Sequence, residues 1–117
     1  MARKTRPFMA AALCAAIGFS AVGVEAASAR SCRPVLNPYP DTRFEGADLR
    51  RIRATGVSCR VARRVARRAH HKALGLPLPR NGVRRFRWRG WRVRGDLRGS
   101  TDRYLARRGG DRVRWIF

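Results

Sequence analysis

Acidic residues are scarce in this chain. Its 117 residues hold 7 Asp+Glu against 28 Lys+Arg, a formal net charge of +21. So few carboxylates cannot neutralise the cations from within, so the folded surface repels itself and attracts polyanions. Lysine is almost missing too, since 26 of the 28 basic residues are arginine. GC-rich coding accounts for arginine over lysine but not for the missing acids.

Histidine is limited to His70 and His71. Adjacent helix positions point about 100° apart, so the two rings do not converge on one ion. No cysteine or acid stands near them at ligand spacing, and no metal is expected. They read as solvated residues at the negative end of a helix dipole. Ser58, Ser100, the histidines and several aspartates form no recognisable nucleophile motif. No catalytic residue, no cofactor and no enzymatic role is therefore expected. Arg94-Gly95-Asp96 spells a cell-adhesion tripeptide, read here as a chance match in an exposed turn.

Cysteine is also sparse: Cys14, Cys32 and Cys59. The first falls in a targeting segment. Arg3, Lys4 and Arg6 precede an apolar run, Phe8 to Val24, and Ala27-Ser28-Ala29 gives a small-x-small cleavage site. Residues 1–29 read as a signal peptide cut after Ala29, with Glu25-Ala26 as a second register. The run is short for a membrane span, and Ala11-Ala12-Leu13 before Cys14 is no lipoprotein box. A secreted protein is expected, with an extended segment at 30–43 and one small domain at 44–117. A chain this short has a small core and often needs a covalent staple. In an oxidising compartment Cys32–Cys59 is the simplest pairing, with a free thiol or an intermolecular bridge as alternatives.

The clearest element that is present is an amphipathic helix at about 58–74. Ser58 is a good N-cap. Cys59, Ala62, Val65, Ala66, Ala69 and Ala73 recur at the spacing of one helix face. Arg60, Arg63, Arg64, Arg67, Arg68 and His71 fall opposite. Gly75 offers a left-handed stop, and Pro77 and Pro79 bar continuation. The apolar face is mostly alanine, so large side chains must come from elsewhere.

They are in the second half. Between Val83 and Arg94, Phe86 and Trp88 alternate with arginines, and Trp91 and Val93 continue that face if Gly90 carries a β-bulge. A tight turn at Arg89-Gly90 is the competing reading. Gly95 to Asp102 reads as a loop. Strands at 103–106 and 112–117 flank a glycine-pair hairpin. With a weaker strand in 44–54, these make an α+β fold: one helix on an antiparallel sheet of three or four strands.

Gly56-Val57-Ser58-Cys59 with Ala62-Arg63 and Val65-Ala66, then the aromatic segment and the terminal Gly-Gly-Asp-Arg-Val-Arg-Trp-Ile-Phe, resembles a group of small secreted proteins of high-GC bacteria. Those share a "gvsC..Ar.va" helix, two later cysteines and a "G.r.vrF" terminal strand. The resemblance spans about 44–117 and implies fold and compartment, with no activity or cofactor. The later cysteines are absent here. Trp88 and Ala106 (or Leu105) stand about where they would be, so the family-type bridge to the sheet cannot form, and Cys32 is left to Cys59.

Function is read from charge. Arg60, Arg63, Arg64, Arg67 and Arg68 are the expected polyanion-binding residues, for envelope phosphates, anionic lipid or nucleic acid. Trp88 and Trp91 read either as core or as a base-stacking platform. The second functional reading is an effector or inhibitor binding an acidic protein partner, which needs exposed aromatic anchors. A monomer is expected.

Overall fold

A computed structural model of the protein describes residues 28–117. The expected signal peptide, apart from its last two residues, and Cys14 lie outside the described residues. The elements are β1 (Arg30–Ser31), β2 (Arg50–Thr55), α1 (Cys59–Leu74), β3 (Val83–Trp88), β4 (Trp91–Asp96), β5 (Arg103–Arg108) and β6 (Asp111–Ile116). All six strands form one antiparallel sheet in the order β1-β2-β6-β5-β4-β3. The helix carries the chain from β2 across one face to the far edge at β3. From there a meander walks back until β6 pairs with β2.

The fold class is α+β as the periodicity indicates, but the sheet has six strands rather than three or four. One extra strand comes from the 83–94 stretch, which is not a single bulged strand. Arg89 (φ 43°) and Gly90 (φ 80°) both take positive φ and turn it into a hairpin. Trp88 then pairs with Trp91, and Phe86 with Val93. The other extra strand is β1, recruited from the lead-in segment onto the edge of β2. A register shift does occur, but in β2 between Arg50 and Arg53, where Arg51 has φ 50°.

The helix starts where its cap directs. The Ser58 side chain accepts from the Val61 N–H at 3.2 Å. Ala62, Val65, Ala66, Ala69 and Ala73 are all buried. Their small side chains let α1 sit close on the sheet, and the rings supply the volume: Trp91, Tyr104 and Trp115 are each 3 % exposed or less. A large buried apolar side chain contributes about 2–3 kcal/mol, against under about 1 for a single methyl. Tyr104 stacks on Trp115 with ring centroids 5.2 Å apart and planes 2° apart. Gly95 pairs with Tyr104 across β4 and β5. A Cβ there would lie 2.5 Å from the tyrosine ring, so only glycine lets that ring lie flat across β4. The Arg94-Gly95-Asp96 tripeptide is thus part of a central strand with its glycine covered, not an exposed turn.

The far end of the helix differs from expectation in two ways. Gly75 is right-handed (φ −85°), so no left-handed stop is used. The free carbonyls are met instead by Arg84 of β3, an almost buried guanidinium that donates to Ala73, Leu76 (3.4 Å) and Pro77 (3.3 Å) carbonyls. A cation at the negative end of the helix also complements its dipole.

His70 is the second difference. It is 0 % exposed rather than solvated. It sits four residues after Ala66, so the apolar row continues through it. The lead-in segment, with its Val35–Leu49 bridge, brings Tyr39 over it, and the Tyr39 hydroxyl is hydrogen-bonded to Nδ1 at 2.5 Å. Phe117 packs on the imidazole, with ring centroids 4.2 Å apart. Burial, then the nearby Arg84 charge and His71, lower the His70 pKa from 6.5 to about 3.

Cys32 and Cys59 are joined in a disulfide with Cα atoms 5.3 Å apart. Cys32 also donates its N–H to Ile52 at 2.8 Å, so the bond ties the sheet edge to the first turn of α1.

Two outcomes follow from these contacts. Replacing both cysteines by serine lowers stability by about 3 kcal/mol, the closure entropy of a loop this size, read as the shift in a urea unfolding midpoint. His70 has a folded pKa below its unfolded one, so its contribution is complete above pH 6.5 and is lost as pH falls from there toward 3. The loss is on the order of a few kcal/mol. His70→Gln, whose amide can still hydrogen-bond to Tyr39 but does not titrate, unfolds with a shallower pH dependence across that window.

Candidate polyanion-binding surfaces

The helix and the sheet each bury one face against the other, so each has one outer face. On α1, Arg60, Arg64, Arg67 and Arg68 are exposed. Arg63 is half-buried and donates to the Pro34 carbonyl at 3.4 Å. All five expected arginines line one shallow depression of about 220 Å³, bounded by Val35.

The two tryptophans separate. Trp91 is 2 % exposed and roofed by the Arg108 guanidinium, 4.4 Å from the ring centroid. It belongs to the core. Trp88 is half-buried at the free edge of the sheet, with Arg89 at 5.6 Å from its ring centroid. It borders a groove of about 490 Å³ with Arg64, Arg68, His71, Lys72 and Arg89. The structure therefore joins Trp88 to two of the helix arginines and leaves Trp91 apart from them.

The larger basic surface is the outer face of the sheet, which the helix argument misses. Because strand side chains alternate, each arginine flanking a buried residue points away from α1. The registers then align them in rows. Arg87, Arg92, Arg107, Arg112 and Thr55 form one row across β3, β4, β5, β6 and β2. The next is Arg85, Arg94, Leu105, Arg114 and Arg53. A third, less charged, runs Val83, Asp96, Arg103, Ile116 and Arg50. Neighbours within a row stand about 4.8 Å apart, and rows about 7 Å apart.

Like charges directly opposite each other destabilise a sheet. One acid stands on this face, Asp96, opposite Arg103 and close enough to Arg94 to feel its charge. Among the described residues the ion pairs are Arg98–Asp96 (2.9 Å) and Arg108–Asp111 (3.9 Å), each closed within its own turn. Two side-chain hydrogen bonds from Arg98 hold the Asp96 carboxyl far below the usual carboxylate range, and the Arg94 charge acts in the same direction. One carboxylate against the arginines of both rows leaves the face with a net positive field.

Parity along each strand is the signal that could have found this face. Arg85, Arg87, Arg92, Arg94, Arg112 and Arg114 all fall on positions out of phase with the aromatic residues. Arg84 is in phase with Phe86 and Trp88, which is why it is inside.

No protein-family model, curated protein or solved structure matches the chain.

If the rows are under mutual repulsion, Arg92→Thr stabilises the fold. Arg92 faces Arg87 on one side and Arg107 on the other. Thermal melts at low salt should show a gain of about 0.5 kcal/mol, shrinking as salt screens the repulsion.

Proposed function

We propose that this is an exported, arginine-coated binding protein that associates with polyanions mainly through charge. The observation that carries this reading is the pair of adjacent arginine rows on the open sheet face, like charges set side by side with a single acid, Asp96, at their border. Guanidinium forks suit phosphate and carboxylate oxygens and shed water more readily than ammonium groups. The disulfide is compatible with an extracellular protein, and the proposed signal peptide and the resemblance to small secreted proteins of high-GC bacteria fit the same compartment.

The other reading, an effector seated on an acidic protein, draws on exposed aromatic anchors. Trp91 and Trp115 are buried, and Trp88 is only partly open. This favours association by charge over an anchored protein interface. No catalytic role is proposed.

The test is retention on a polyphosphate or heparin support over a salt series. Binding through several arginines releases counterions, so log K falls linearly with log salt, by about 0.7–0.9 for each phosphate neutralised. Retention that holds unchanged from 50 mM to 1 M salt would overturn the proposal.

A further inference from the structure

We propose that the open sheet face is the docking surface and that its occupant is an anionic phospholipid bilayer. This rests on the polyanion reading and narrows it to one ligand and one face.

The geometry points to a cup at the middle of that face. Arg85, Arg87, Arg92, Arg94 and Arg107 surround Leu105, and the hollow holds about 510 Å³. Leu105 is half-buried and directly opposite Arg94. A second hollow of about 420 Å³, lined by arginines and by Asp96, continues from it toward Ile116, so the two aliphatic side chains lie on one mainly basic face.

Three observations favour a bilayer. First, the charge is spread in two directions. A single linear polyanion follows one row and leaves the next uncompensated, whereas a headgroup plane meets both. Second, the centre of the face is aliphatic. Leucine and isoleucine gain nothing from a sugar-phosphate backbone, but they gain at the headgroup–acyl boundary, where apolar burial adds to electrostatic attraction. Third, the strand positions on this face carry no aromatic ring and no Asn or Gln. It therefore lacks both the stacking surface of single-strand binders and the amides that read base edges. The helix face is the poorer candidate, because its apolar side is alanine and is already buried against the sheet. Arginines near an anionic leaflet add their attractions, so a plane of them binds without a deep anchor.

The experiment uses the full disulfide-bonded protein and co-sedimentation with phosphatidylcholine vesicles, with and without phosphatidylglycerol. The expected result is binding that requires phosphatidylglycerol and falls about tenfold or more in Arg92→Gln/Arg94→Gln. Removing two mutually repelling cations does not unfold the sheet, and thermal melts verify this. Arg64→Gln/Arg67→Gln, with the same charge lost from the helix, keeps binding within about threefold. Leu105→Thr leaves charge unchanged. It should weaken vesicle binding about threefold while heparin retention stays as it was.

Equal loss from both arginine pairs overturns the assignment to the sheet face. Binding to duplex DNA or polyphosphate without binding to phosphatidylglycerol vesicles overturns the bilayer and leaves the polyanion reading standing. Binding to none of the three overturns both.

Discussion

The helix has almost nothing but alanine to bury, and the structure turns on that constraint. Four of its alanines are wholly buried, so α1 must press close to its support, and the support must supply the volume. Trp91, Tyr104 and Trp115 do so from three different strands. Their size obliges small partners elsewhere, which is why Gly95 lies under the Tyr104 ring and Ala106 sits beside it in β5. The result is a thin two-layer sandwich whose interior is one helix face and one sheet face. Residues that do not fit between those layers are on an outer face, and in this chain most of those strand and helix positions are arginines.

Arg84 is the exception that the same constraint explains. It falls on the inner parity of β3, near the end of α1, where a helix leaves unpaired carbonyls. A buried guanidinium needs acceptors, and the carbonyls at and just past the helix end supply them to both terminal nitrogens, leaving only Nε without a partner. His70 is handled similarly. Its place in the alanine row puts it inside, where it stays neutral and shares a hydrogen bond with Tyr39. The lead-in segment is therefore more than a tether to the disulfide. It closes the helix end, with Tyr39, Phe44 and Phe117 meeting edge to face around the imidazole.

The sheet makes the functional argument because it runs against its own stability. Arginines face arginines across β3–β4, β4–β5 and β5–β6. A surface selected only for solubility would intersperse acids, and the sequence has few to spare. On the proposed reading, a polyanion covering the face would relieve that repulsion, so the same charges would oppose the free sheet and favour a complex.

Much of this was legible in advance. Ser58 and the recurrence of Ala62, Val65, Ala66, Ala69 and Ala73 mark the helix nearly to the residue, and with two cysteines outside the expected signal peptide the staple is the simplest pairing. Both are local or counting properties, and the period of a helix does not depend on what it packs against. The Arg89-Gly90 turn, the strand count and His70 read less well, because the sequence there supports two geometries and tertiary context selects one. The order β1-β2-β6-β5-β4-β3 was not legible, nor were the arginine rows. A strand's alternation says which side chains share a face, but only hydrogen bonding between distant segments sets which arginine stands beside which. The sequence by itself determined how much charge the protein carries. The tertiary pairing decided that the charge is gathered into a plane.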